Sequence, residues 1–182
     1  SDTTGFKVEG DFKIAGVPML LGVDYKNLDR TAIRYSGNAT AVNTIHAYIW
    51  PGVENREFGV FGEGTVNLSD TSSLKLGLRY DNVNVTAGKA NLVSTATGRS
   101  ANQLYTMYYG YGFQDVTENN VSGLMRFEQD YGNDTNTYLT LSRSVRTANT
   151  TERAIAADHA MATMRQVGNP NLKPEKHYQV DL

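Results

Sequence analysis

The stretch LKLGLRYD, residues 74–81, shows the sharpest alternation of apolar and polar side chains in the chain. One parity carries Leu74, Leu76, Leu78 and Tyr80, and the other carries Lys75, Gly77, Arg79 and Asp81. Successive side chains of a β-strand point to opposite faces of the sheet. The stretch therefore predicts a strand with one apolar face and one polar face.

The same period of two recurs on both sides of this stretch. It is present in the segments 5–14, 19–29, 55–68, 119–129, 137–146 and 176–182. Together with 74–81, these segments predict about seven strands of roughly ten residues each. The segments 5–14 and 19–29, and likewise 119–129 and 137–146, are predicted to pair as antiparallel hairpins across short breaks.

The connections between these strands alternate in length. Short breaks fall at 15–18, 69–73 and 130–136, whereas long polar stretches run over about 35–54, 86–118 and 147–174. An outer-membrane barrel has short periplasmic turns and long extracellular loops, which a soluble sandwich has no reason to keep on opposite ends. The expected fold is all-β: an antiparallel transmembrane β-barrel segment of about seven strands, with short periplasmic turns and long extracellular loops. A soluble β-sandwich binding module remains the alternative from another class.

Composition excludes several other classes. The formal net charge is -2 and no run of Lys or Arg is present, which argues against a nucleic-acid partner. The chain has no cysteine, so it has neither disulfides nor thiolate metal sites. No apolar run approaches the roughly 18 residues of a membrane helix. No catalytic motif is present, so we expect neither enzymatic activity nor a bound cofactor.

The segment GNPNLKPEK, residues 168–176, joins a loop rigidified by prolines to the last predicted strand. It resembles the loop-to-strand junction in the barrels of TonB-dependent outer-membrane receptors. GLRYD at 77–81, LSRSVRT at 141–147 and ER at 152–153 also resemble segments of that family, in the expected order. Within the family, SRSVR, TTERAIAAD and MRQVGNPNLKPEKHYQ are most similar to the TonB-dependent copper receptors.

This resemblance implies a location, partners and a cargo. Such receptors are closed barrels of about 22 strands around a plug. Residues 1–182 are therefore expected to be a partial barrel domain without the plug and the remaining strands. The protein would lie in the lipid of the bacterial outer membrane and contact the TonB complex through an N-terminal part that this chain lacks. Its small ligand would be a metal or metal chelate, transported as cargo, with copper favoured. A ferric-siderophore or haem receptor is the alternative within transport.

The stretch NTTERAIAADHAMATMRQ, residues 149–166, contains the main candidate metal ligands. Asn149 and Glu152 have the spacing of a helix cap, and the alanines favour a short helix. His159, Met161 and Met164 supply imidazole and thioether groups, which copper accepts. On a regular helix, however, His159 and Met161 would point roughly 200° apart. Both would bind one ion only if the helix were unwound; otherwise the methionines would pack against the barrel rim.

His46, in the first long polar stretch, is a second candidate metal ligand. An ordinary exposed loop histidine is the alternative interpretation. Two or three loop residues do not complete a site, so a ligand from the plug is expected to finish it.

Overall fold

The computed structural model describes residues 1–35 and 44–182. Its main feature is a seven-stranded antiparallel sheet in the order β1-β2-β3-β4-β5-β6-β9. The strands are β1 Asp2–Ile14, β2 Val17–Tyr35, β3 Ile45–Asn67, β4 Ser72–Ala87, β5 Val116–Gly132, β6 Thr135–Arg146 and β9 Glu175–Asp181. A small second sheet pairs β7 Ala156–Ala157 with β8 Gln166–Val167. The predicted antiparallel sheet of about seven strands is confirmed; within the described residues it is open and not closed into a barrel.

Tight turns lie together at one end of the sheet, which we call the turn end. Ala15 and Gly16 connect β1 to β2, with φ values of 49° and 82°. Asn133 and Asp134 connect β5 to β6, with φ values of 52° and 60°. Two successive residues with positive φ define a type I′ turn, whose twist matches that of the flanking strands. The long connections lie at the opposite end, the loop end, as the alternating connection lengths predict.

One face of the sheet is apolar across its whole width. Cross-strand partners share a face, and a single row of partners crosses all seven strands. That row consists of Phe12, Met19, Gly64, Leu76, Met125, Leu141 and Val180. Large side chains on this face are exposed, for example Leu78 at 65%. We call this surface the apolar face.

The opposite, polar face carries charged side chains packed closely on glycines. Arg79 donates two hydrogen bonds to Asp24, at 2.7 and 2.9 Å. The pair lies directly over Gly59, where any Cβ would overlap both side chains. The ring of Phe61 covers Gly22 in the same way. At these two positions glycine leaves the room that the neighbouring side chains occupy, so a Cβ would displace them; neither position needs glycine for its backbone conformation.

Several strands are longer than the sequence predicts. β3 has 23 residues and β2 has 19, against the expected ten or so. Residues 45–54, expected to belong to a long polar stretch, are part of β3. The alternation is lost there because Val53 and Ala47 are buried under the loops. The middle of that predicted stretch, residues 36–43, lies outside the described residues.

The buried core lies at the loop end, where the long connections fold over the polar face. It includes Val53, Val83, Val85, Ala90, Ala101, Leu104, Tyr105, Phe113, Ala154 and Ala156. Two helices contribute to it: α1 Ala101–Tyr109 and α2 Thr150–Ala154. In the described ranges, neither helix is long and apolar enough to cross a membrane.

The predicted helix cap is confirmed, but the helix is shorter than the stretch 149–166 suggests. The Asn149 side chain accepts hydrogen bonds from the backbone N–H of Thr151 and of Glu152, both at 2.9 Å. α2 ends at Ala154 because later residues turn back onto it: Asn169 N–H donates to the carbonyl of Glu152. The expectation of a helix that continues to Met161 and Met164 is therefore wrong.

Candidate metal site

The candidate site is built where three segments meet at the loop end: β3, the connection before β5 and the connection after β6. The hydroxyl of Tyr105, on α1, donates to the carbonyl of Ala154 at 2.6 Å and joins the two loop helices. Tyr105 is fully buried, and burial raises the pKa of its hydroxyl. Tyr109 binds the carbonyl of Val167 at 2.9 Å and adds a second tie. The loops are thus held by specific contacts and not only by apolar packing.

Asp158 is the anchor of the site. It is 2% exposed, and Arg99 binds its carboxylate with two hydrogen bonds of 2.9 and 3.2 Å. Arg165 contacts the same carboxylate at 3.0 Å, and Arg34 donates to the Asp158 carbonyl. Burial is the largest single influence and opposes the charge, but the hydrogen bonds from Arg99, Thr97 and the backbone of His159, together with the charge of Arg99, outweigh it and lower the pKa of Asp158. The carboxylate is therefore charged at neutral pH and fixes the backbone just before His159.

The two candidate histidines lie side by side. The ring centroids of His46 and His159 are 6.2 Å apart, with the planes tilted by 53°. His46 comes from the outer end of β3 and His159 from the connection after β6, so only the fold brings them together. Burial, followed by the charge of Arg34, lowers the pKa of His46. His46 is therefore neutral at physiological pH, as a metal-binding imidazole must be.

Both imidazoles already accept a hydrogen bond through Nδ1. Arg34 Nη2 lies 3.2 Å from His46 Nδ1, and a guanidinium only donates. The backbone N–H of Met161 donates to His159 Nδ1 at 3.1 Å. The neutral rings therefore carry their proton on Nε2. In this state neither ring offers a free lone pair to a metal.

The two candidate thioethers are on the surface. Met161 and Met164 are 58% and 56% exposed. Met164 is the last residue of a single 3-10 turn, and Met161 directly precedes that turn. Because His159 and Met161 are not on an α-helix, the predicted 200° separation does not apply. The structure brings together His46 and His159; for all four residues, metal binding stays a prediction. Within residues 1–35 and 44–182, no three His, Cys, Asp or Glu side chains form a metal-holding group.

Sequence reasoning missed the arginines that build the site. Arg34, Arg99 and Arg165 converge on Asp158 from three segments that are distant in the chain. Met107, on α1, was also missed; its sulfur lies 3.7 Å from Arg165 Nη1. The sequence alone does not predict that these arginines meet at Asp158, because the folding of the loops decides which residues become neighbours.

Comparison with known proteins places this fold. No curated protein matches the sequence. Among solved structures, the chain is similar to one described as "Copper transporter OprC", with a TM-score of 0.65 and 19% identity over 98% of this chain. It spans 26% of that protein's chain, about a quarter of its length. The family model "TonB dependent receptor-like, beta-barrel" matches residues 1–182. The chain therefore belongs to the TonB-dependent receptor-like β-barrel family.

Proposed function

We propose that this chain forms part of the wall and outer loops of an outer-membrane importer powered through TonB. Family membership supports this function, as does the apolar face that runs without interruption across all seven strands. A surface of this kind suits contact with lipid hydrocarbon, while the opposite face carries ion pairs suited to a wet lumen. The protein acts in transport rather than in catalysis. The soluble β-sandwich alternative is wrong, because the chain belongs to a β-barrel family.

Copper is the cargo that we propose. The observation that carries this proposal is the pairing of His46 with His159, 6.2 Å apart at the loop end. Met161 and Met164 follow His159 and keep their thioethers at the surface. Imidazole and thioether form a ligand set that suits copper, especially Cu(I). The similar fold of a structure named as a copper transporter adds support, although at 19% identity the likeness concerns the fold alone.

Capture requires the observed hydrogen bonds of both histidines to break. An imidazole that binds a metal through Nε2 carries its proton on Nδ1, and one that binds through Nδ1 has no lone pair left there. In either case His46 can no longer accept from Arg34, and His159 can no longer accept from Met161 N–H. The arriving ion thus releases Arg34 from His46 and loosens the segment after His159. A ligand from the plug would complete the coordination.

The test uses the intact receptor that contains this chain. One variant replaces both His46 and His159 by Ala, and a second replaces His159, Met161 and Met164 by Ala. His177→Ala is the matched control, because this histidine lies exposed on β9. Cu(I) and Cu(II) affinity is measured on purified receptor, and copper accumulation in cells. We expect losses of roughly tenfold or more in both multiple variants and none in the control.

Two outcomes would contradict the copper assignment. Unchanged copper affinity and uptake in both variants would mean that these residues only pack the loop end. Uptake of a ferric siderophore or of haem, in place of copper, would favour the other transport alternative. In that case the His46–His159 pair would be a structural contact of the loop end.

A further inference from the structure

A cavity opens where β5 and β6 part. The two strands pair from the turn end up to Gly123 and Arg143, and no further. Above that point a cavity of about 290 Å³ lies between the upper part of β5 and the Asn171-to-Lys176 segment. We call this cavity the β5–β6 cleft. Its walls include Thr117, Asn119, Arg153, Asn171, Lys173 and Lys176.

Above the last backbone pair, two side-chain hydrogen bonds connect β5 to β6 and to the residue that follows it. Ser122 Oγ accepts a hydrogen bond from the backbone N–H of Val145 at 3.2 Å. Asn120 Nδ2 donates to Thr147 Oγ1 at 3.1 Å. These contacts satisfy part of the backbone and fix the spacing of the two strands. The cleft is therefore a built feature of the sheet.

One wall of the cleft is a connected set of amides and hydroxyls. Asn119 Oδ1 accepts from the Tyr80 hydroxyl at 2.6 Å and from Asn82 Nδ2 at 2.9 Å. Thr117 Oγ1 donates to Asn84 Oδ1 at 2.8 Å. Neutral donors and acceptors in a fixed arrangement suit the hydroxyl groups of a sugar.

The charge in the cleft is positive. Arg153, only 1% exposed, pairs with Glu118 at 2.6 Å, so these two charges cancel. Two polar atoms of this pair, Arg153 Nε and Glu118 Oε2, are buried without a protein partner among the described residues. Lys173 and Lys176 add two further cations. The neighbouring carboxylate, Glu175, is bound by Arg146 at 3.0 Å and does not neutralise them.

The cleft lies at the upper limit of the apolar face. Along β9, that face carries Val180, then Tyr178, then Lys176, which pair with Leu141, Arg143 and Val145. An apolar residue, an exposed tyrosine and a cation in this order are typical of the boundary between lipid hydrocarbon and headgroups. Lys176 therefore stands at headgroup level on the apolar face, and Lys173 lines the same cavity just before β9 begins.

We propose that the β5–β6 cleft binds the phosphorylated sugar headgroup of an anionic glycolipid in the surrounding leaflet. This proposal rests on the outer-membrane location given under Proposed function. The lysines bind the phosphate, and the amide wall binds sugar hydroxyls. The cleft residues include no histidine and no methionine, so it is separate from the proposed copper ligands.

The experiment measures binding of fluorescent bis-phosphorylated lipid A to the intact receptor in nanodiscs. The test variant is Lys173→Gln with Lys176→Gln. The matched control, Lys13→Gln with Lys26→Gln, removes the same charge from the polar face. We expect roughly thirtyfold weaker binding in the test variant and wild-type binding in the control. Lipid A without phosphates should bind wild type and test variant equally.

Several results would overturn the proposal. Equal binding by wild type and test variant would do so, as would an equal loss in the control. Complete displacement of lipid A by millimolar inorganic phosphate would assign the cleft to free phosphate instead. Copper uptake is measured on the same variants. Lost lipid A binding with normal copper uptake in the lysine variant supports the cleft independently of the cargo. Unchanged copper affinity in the histidine variants, together with normal lipid A binding, contradicts only the copper assignment.

Discussion

Substituting arginine for Leu76 tests the assignment of the apolar face directly. Leu76 is 47% exposed and lies between Gly64 and Met125 in the row that crosses all seven strands. Tyr80, four residues further along β4, is where polar side chains begin on this face. Four residues span about 14 Å along a strand, or about 10 Å of depth at a tilt near 40°. If the apolar face contacts lipid, as we propose, Leu76 would lie near the middle of a hydrocarbon band of about 25 Å.

At this depth the guanidinium of Leu76→Arg should lower the free energy of unfolding by about 2–4 kcal/mol. The control is Lys75→Arg, which places the same side chain on the polar face, beside Glu63 at 3.3 Å. We expect the control to change stability by less than about 0.5 kcal/mol. The assay is urea unfolding of the intact receptor in lipid vesicles, followed by tryptophan fluorescence. Equal costs at the two positions would refute lipid contact by the apolar face or the register of β4.

Three further predictions concern the loop end and the polar face. Arg153→Met leaves a buried carboxylate unpaired and should weaken the protection of residues 147–174 from hydrogen exchange by about 3–5 kcal/mol, whereas Arg146→Met, at an exposed ion pair, should have little effect. Gly59→Ala should cost about 1–3 kcal/mol in urea unfolding because its methyl group overlaps an ion pair, while Gly77→Ala, with 3.8 Å of clearance, should be close to neutral. Since burial lowers the pKa of His46 below 6.5, its contribution to stability is complete above pH 6.5 and is lost as the pH falls through the lowered pKa. Hydrogen exchange of the loop end from about pH 7.5 to about pH 5 should show this loss in the wild type and not in His46→Gln; an unchanged profile would contradict it.

The sequence predicts the sheet well wherever one face is apolar and the other polar. Alternation at 74–81 places Leu76 and Lys75 on opposite faces, and the register confirms it. It fails over 45–54, because the loops there cover one face and the usual contrast between faces disappears. Pro51 and Gly52 in that segment are residue types that usually predict a loop, although both lie within β3.

The candidate site could be predicted less well than the sheet, because the spacing of residues along the chain does not show which of them the fold brings together. The four candidate ligands came from residue chemistry, and the chain gives no sign that His46 would lie beside His159. Alanine-rich sequence favoured a helix up to Met164, yet α2 ends at Ala154. Gly168 packs against the backbone of Arg153, where any Cβ would come within 2.8 Å. This tertiary contact overrides local helix propensity.

The order of strands in the main sheet follows their order in the chain, so an error in the pairing register of one hairpin affects the strands that follow it. Each long strand pairs with the one before it, so the register of every hairpin is inherited by the next. A slip of one residue exchanges the two faces of a strand. At a turn of only two residues, such as Ala15 and Gly16, a slip would place lysines and carboxylates on the apolar face. The tight turns therefore fix the register of their hairpins and, through it, which face of the sheet is apolar.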